Sequence, residues 1–249
     1  MTHCAISLGM DVVLDHATHT YTNTNDGEKY TSVTTFISQF KKPFDKDFWS
    51  KRIAKRDGVD QQTVLDSWAS ITQTAQDRGT NVHTVMEQYI KDHTVAPGFE
   101  ELVDSFIKRT NTIIKPNSKI LSETLLYDHA HKLAGMSDLI VENADVFHVM
   151  DFKTNKKFNF TSKYNEYFYE PVDYLQQCEF NTYTLQLSIY AYMYEMMTRK
   201  RCGSLKIFYL REFSGKFWQE INCTYMKSAV RDMFEVRAKK LLEPAEVAA

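Results

Sequence analysis

Two short apolar segments each carry a carboxylate where a core strand would be apolar. They are GMSDLIV (135–141), with Asp138 inside it, and VFHVMDFK (146–153), with Asp151 followed two residues later by Lys153. A buried carboxylate must be hydrogen-bonded, paired or bound to a cation. Along a strand, residues i and i+2 point to the same side, so Asp151 and Lys153 share a face. The chain is thereby constrained to bring two acids and a lysine together on neighbouring strands.

The surrounding pattern supplies a fold for those strands. HTYTNTNDGEKYTSVTTFI (19–37) reads as strand, NDG turn and second strand, with Ser32, Thr34 or Thr35 placed to cap a helix beginning near Phe36. Residues 36–93 are helical in pattern, with Val82, Val85, Met86, Tyr89 and Ile90 at helical spacing, and FEELVDSFIKRTNTII predicts another helix closed by Pro116. KILSETLLYD and KLAGMSDLIVEN form a hairpin across HAH, whose His129 and His131 read as a solvated tip. VFHVMDFKTNK is the next strand, 155–175 an aperiodic loop, and EFNTYTLQLSIYAYMYEMMTRK a long helix. SLKIFYLRE and KFWQEINCTY are strands, MKSAVRDMFEVRAKKLLE closes the chain as a helix, and PAEVAA is a frayed tail. This order predicts an α/β (α+β) domain: a central mixed sheet flanked by helices, with an N-terminal helical elaboration. One domain over 1–249 is expected, with a hairpin and helical part at 28–115 and the core at 116–243.

A chain of 249 residues that is 43% hydrophobic and 25% charged can bury such a core. No apolar run reaches the roughly 18–20 residues of a membrane span, and the first residues lack the basic start of a signal peptide. Cys4, Cys178, Cys202 and Cys223 are dispersed without a CxxC pair, as in a reducing cytoplasm. The net charge of −2 gives no broad basic face, but Lys41–Arg56 holds seven Lys/Arg against two Asp. On charge alone that segment is a solvated helix face.

Four pieces share one chemistry. Gly79, His83 and Glu87 recur every fourth residue, which puts His83 and Glu87 on one helix face. Asp138 and the Asp151–Lys153 pair follow, and then Gln186 and Tyr190, again one turn apart. Phosphodiester hydrolysis uses a divalent cation to neutralise a non-bridging oxygen and activate water. Two aspartates suit Mg²⁺, and a histidine ligand is better tolerated by Mn²⁺. A lysine kept cationic by its carboxylate neighbour can orient the water or stabilise transition-state charge. Singly, each piece has an ordinary explanation: a hydrogen-bonded strand aspartate, a surface ion pair, a core histidine, amphipathic polarity. Their joint order does not. Asp151 and Lys153 sit at a strand end, so alanine at either is expected to cost chemistry and spare the fold.

The four motifs together resemble the PD-(D/E)XK nuclease superfamily in its RecB-type branch. YTSVTTFI and DFKTNKK are also similar to segments of mitochondrial genome-maintenance exonucleases and their phage relatives. The resemblance spans roughly residues 28–215. It implies a restriction-endonuclease-like core and a Mg²⁺- or Mn²⁺-dependent DNase. The implied metal ligands are His83, Asp138, Asp151 and the Phe152 carbonyl; Asp138, Asp151 and Lys153 are the implied catalytic residues. Gln186 and Tyr190 would support the site or the DNA, with Glu87 and Glu123 as further acidic candidates. The dispersed cysteines do not match the spacing of iron–sulfur relatives, so no cluster is expected.

After Lys153 the loop interleaves Lys156, Lys157 and Lys163 with Phe158, Phe160, Tyr164, Tyr167, Phe168 and Tyr169. Aromatics for stacking and lysines along the backbone grip single strands. The expected partner is therefore DNA, preferably single-stranded, with a single-strand-binding or recombination protein beside it and no membrane. The expected compartment is the cytoplasm, that of the host if the chain is phage-encoded. A duplex-resecting exonuclease, a non-catalytic DNA-binding relative and a structural protein with a mere ion pair stay open on the residues alone.

Overall fold

The computed structural model describes residues 11–211 and 217–243; Cys4 and the tail 244–249 lie outside them. The chain runs β1 (Val12–Asp15), β2 (Thr20–Asn23), β3 (Lys29–Ser32), α1 (Val33–Ser38), α2 (Lys46–Asp57), α3 (Gln61–Asp92), α4 (Glu100–Thr110), β4 (Lys119–Asp128), β5 (Leu133–Asn143), β6 (Val146–Lys153), α5 (Glu179–Thr198), β7 (Arg201–Tyr209), β8 (Gln219–Cys223) and α6 (Lys227–Leu242). The helix starts follow from side-chain caps. Ser32 accepts the Thr35 N–H at 3.0 Å, so α1 begins at Val33 and not near Phe36. Asp45 and Asp60 cap α2 and α3 in the same way, and Gly58, left-handed at φ 69°, ends α2.

The expected mixed sheet is present, with eight strands. β3–β5 and β6–β7 are parallel pairs; the other neighbours run antiparallel. β5 is the organising strand. β4 pairs along one edge of it, while the other edge takes β3 at Leu133–Ala134 and β6 only from Leu139 onward. The stretch between those two partners contains Asp138. Helices α1, α5 and α6 pack on one face of the sheet through Phe36, Leu185, Tyr194, Val230 and Phe234. On the other face Val82 and Met86 of α3 and Leu102, Val103 and Phe106 of α4 meet Leu139, Met150 and Phe152. α5 is apolar nearly all round, as a helix covered on most sides must be.

Two features position the site. First, the alternation of β5 slips. A side chain at Gly135 would point toward Tyr190 and Val33, and Ile140 packs in the same cluster as those residues, an odd number of positions later. The slip coincides with Glu123 of β4, which has φ 44° and stands opposite Asp138 between the Ser122–Leu139 and Thr124–Ser137 pairs. Second, α3 is 32 residues long, about 48 Å, yet Val64 is its only buried residue before Val82. Its first half rests on α2, where the Gln61 amide donates to Asp47 at 3.0 Å and to Ser50 at 2.8 Å. Among the described residues, no helix is long and apolar enough to cross a membrane.

Candidate functional site

The site forms where β6 leaves β5. Their ladder ends at the Leu139–Met150 pair, and the next inward N–H of β6, that of Phe152, donates to Asp138 Oδ2 at 2.8 Å. A carboxylate thus replaces the missing backbone acceptor. From the α3 side, His83 Nε2 lies 2.9 Å from the Phe152 carbonyl oxygen, and His83 Nδ1 lies 3.6 Å from Asp138 Oδ2. Glu123 joins them: ligand-type atoms of His83, Glu123 and Asp138 all lie within 4.8 Å of one another. The Glu123 carboxyl is pushed up to about 8, by burial first and then by the charges of Asp138, Glu87 and Asp151. Glu87 sits one turn beyond His83 and is tied to Lys91.

Asp151 and Lys153 alternate with Met150 and Phe152, which enter the α3–α4 core, and so face α5. They are not a surface pair. Lys153 Nζ is 2.5 Å from Asp151 Oδ2, with side-chain exposures of 18% and 3%. Burial raises the Asp151 carboxyl, and Lys153 pulls it back only in part. For Lys153, burial opposes the charge, but Asp151 and Asp138 outweigh it and hold the ammonium above its ordinary range. The ammonium also lies 4.8 Å from the Tyr183 ring centre. In this arrangement Asp151 faces Lys153, while Glu123 stands with His83 and Asp138.

Gln186 and Tyr190 lie beneath the site. Both are buried, the Gln186 amide donates to the Tyr190 hydroxyl at 3.2 Å, and the Tyr190 ring occupies the space that a Cβ at Gly135 would need, with its Cε1 only 2.7 Å away. Both are therefore packed inside the fold. By contrast, a Cβ at Gly79 would meet only Thr154 Oγ1 at 3.4 Å, an ordinary contact.

The loop after Lys153 separates into two roles. Phe168, expected to stack on a strand, is 2% exposed and packs in the α5 core, with Lys41 Nζ 5.6 Å from its ring centre. Tyr164 and Tyr167 are exposed, as are Lys156 and Lys157. The burial pattern of an aperiodic loop has no sequence signature, so Phe168 could not be told from its neighbours. The HAH segment is a turn with His129 exposed, as expected, yet its rings have partners: the His131 ring lies 4.5 Å from that of Phe234, and His129 Nδ1 lies 2.5 Å from the Tyr30 hydroxyl.

Four further residues escaped sequence reasoning. Arg78 donates to the carbonyls of Thr154 (3.2 Å) and Leu210 (3.4 Å), tying α3 to the end of β6. Tyr183 lies one turn before Gln186, so extending the 186–190 spacing backward would have found it. His16 and His19, in the β1–β2 turn, line a hollow with His83, Glu87 and Glu123. No local pattern links them to it, because that contact depends on the β1–β2 hairpin reaching the sheet.

No family model and no curated protein matches the chain. Among solved structures it is similar to SSO0001, with a TM-score of 0.34 and 13% identity over 86% of this chain and 76% of that one. A protein of Eubacterium rectale named "Putative exonuclease" gives a TM-score of 0.36 and 9% identity over 85% and 78%. Likenesses this loose carry no argument about chemistry.

Proposed function

We propose that this chain is a Mg²⁺- or Mn²⁺-dependent deoxyribonuclease that degrades single-stranded DNA, or single-stranded tails and flaps, from their ends, in recombination, replication or repair. The observation that supports it is the convergence of His83, Glu123, Asp138 and the Phe152 carbonyl beside the buried Asp151–Lys153 pair. The donor set fits a hard divalent cation: oxygens predominate, with one imidazole. The crowding of Glu123 by three other carboxylates is a repulsion that such a cation relieves.

His83, Glu123, Asp138 and the Phe152 carbonyl would hold the cation, with Asp151 at the margin. When bound, it supplies charge neutralisation at a phosphate oxygen and an acidified water. Asp138 holds the Phe152 N–H, and in this extended strand the carbonyl of the same residue points to the same edge, toward His83. Asp151 holds Lys153 cationic and limits its rotation. From there the ammonium stabilises charge gathering on the phosphate or orients the attacking water. Gln186 and Tyr190 back the strand that carries Asp138.

The test is degradation of an end-labelled single-stranded oligonucleotide with Mg²⁺ or Mn²⁺, with excess EDTA, and as a closed circle. Loss of activity in EDTA and on the circle is expected. Cleavage that persists in EDTA overturns the metal dependence, and equal cleavage of the circle overturns the requirement for ends.

A further inference from the structure

A cleft of about 870 Å³ opens between α2, the first half of α3 and the Tyr164–Gln177 loop. Its lining is unusual for a protein surface. Phe44, Phe48 and Tyr164 are 66%, 51% and 66% exposed, and Trp49 and Trp68 join them in the same wall. Isolated exposed aromatics are ordinary, but five around one opening mark a binding surface. The rings are held as platforms: Phe44 lies 5.8 Å from Trp68, and Phe48 lies 5.3 Å from Trp49 edge to face.

Charge selects the class of ligand. Lys42, Arg52 and Arg56 line the cleft against Asp45 and Glu166. Asp45 is spent on capping α2, Lys42 is paired with Glu166 at 3.1 Å and Arg56 with Asp57 at 2.6 Å, so the cationic character of the lining rests chiefly on Arg52. Arg52 lies over the Trp49 ring at 5.5 Å, so the same platform offers a cation for a phosphate and a face for a base. Aromatic faces interleaved with cations fit a single strand with unstacked bases; a duplex hides its bases and offers nothing to stack.

The cleft is continuous with the candidate active site. Along α3, Trp68, Thr72, Gln76, Gly79 and His83 recur every three or four residues and so form one stripe. Phe44, Trp68, Thr72 and Gln76 border the next hollow, and Thr72 and Gln76 reappear with His83 and Lys153 in the one after it. The floor of that stripe carries no acid. Trp68 and His83 are fifteen residues apart on α3, about 22 Å. At the stacked rise of about 3.4 Å per base that length holds about six nucleotides, and a strand with unstacked bases crosses it in fewer.

We infer that the aromatic cleft of α2, α3 and the Tyr164 loop is a remote stacking site for single-stranded DNA, at most about six nucleotides from the point of cleavage. The inference rests on the nuclease reading for its substrate, but binding there needs neither metal nor chemistry. It makes the protein sensitive to substrate length: strands too short to reach from His83 to Trp68 lose the stacking contacts.

Oligothymidylates of 4, 8 and 12 nucleotides are titrated into the full chain in EDTA while tryptophan fluorescence is followed. Trp49 and Trp68 report the cleft, and Trp218, 1% exposed, is the unresponsive background. Quenching by the 12-mer, with weaker binding of the 4-mer, is expected. Phe48→Ala and, separately, Arg52→Ala should each weaken the 12-mer about tenfold, and with Mg²⁺ they should raise KM for long strands more than for the 4-mer. No quenching by the 12-mer, while Mg²⁺-dependent cleavage persists, overturns the cleft and leaves the nuclease standing. Quenching without cleavage by any metal sinks the nuclease and keeps the strand site. Equal binding of inorganic polyphosphate would reduce the cleft to charge alone, and self-association abolished by Phe48→Ala would give it to a second copy of the chain. Either result overturns the inference.

Discussion

Asp138 accepts the backbone N–H of Phe152 at 2.8 Å, at the point where the β5–β6 ladder stops. One carboxylate thus does two things: it satisfies a strand that has lost its partner, and it stands 3.6 Å from His83. These roles separate by substitution. Asp138→Asn keeps an acceptor for Phe152 and should fold normally, yet lose more than about 100-fold in cleavage rate, beyond what supporting residues of metal sites cost. Asp138→Leu should lose the same activity and a further ~1–3 kcal/mol of stability, because the Phe152 N–H is left unsatisfied. Urea unfolding beside oligonucleotide cleavage tests both; an active Asp138→Asn would remove Asp138 from the site.

Asp151 and Lys153 are expected to differ in what their loss costs. From sequence, alanine at either position spares the fold; the burial of both side chains corrects that. Asp151→Ala strands the ammonium and should cost about 3–5 kcal/mol. Lys153→Met should cost less, because the Asp151 carboxyl, already raised by burial, loses the partner that lowers it and takes up a proton. Cleavage should vanish in both. Equal destabilisation at pH 7 would show that Asp151 stays ionised without its lysine.

The strands that carry these residues were legible because their physics is local. KILSETLLYD matches β4, and the segment 179–198, twenty residues without a Gly or Pro to break it, is too long for a strand and forms the long helix. Asp138, Asp151 and Lys153 announced themselves as charges in apolar segments. What stayed hidden depends on distant partners. β1 is a strand because β2 lies beside it, and although a second strand is expected after the NDG turn, its parallel pairing with β5 joins segments about a hundred residues apart. Glu123 is a candidate only through the resemblance; by its own pattern it reads as any outward strand residue, since only the slip opposite Asp138 turns it into the cluster.

The aromatic loop yields a prediction that separates packing from binding. Phe168→Ala should cost about 3–5 kcal/mol, as for a buried phenylalanine, and alter DNA binding only through the fold. Tyr164→Ala should leave the urea midpoint unchanged and weaken single-strand binding by about 1–3 kcal/mol. Tyr167→Ala, also at an exposed ring, should behave likewise. If Phe168→Ala were as stable as the wild type, the placement of that ring in the core would be wrong.

Glu123 gives the metal-free protein a pH dependence of definite sign. Its carboxyl rises from the ordinary 4.5 to about 8 on folding, through burial and then the charges of Asp138, Glu87 and Asp151. The folded state therefore binds the proton more tightly than the unfolded state does. Stability from this group is full below about pH 4.5, declines as pH rises and is lost through about pH 8. Other groups titrate in the same range, Asp151 among them, so the informative quantity is a difference. Glu123→Gln keeps the shape and removes the titration. In EDTA its melting temperature relative to wild type should climb steadily from pH 5 to pH 8. Mg²⁺ binding should reverse the wild-type penalty, because the cation replaces the proton: about one proton is released per ion bound at pH 7. Calorimetry in buffers of different ionisation enthalpy measures that proton, which the Gln variant should not release. A melting difference that stays flat across this pH range, or equal proton release from both proteins, would place Glu123 outside the proposed metal site.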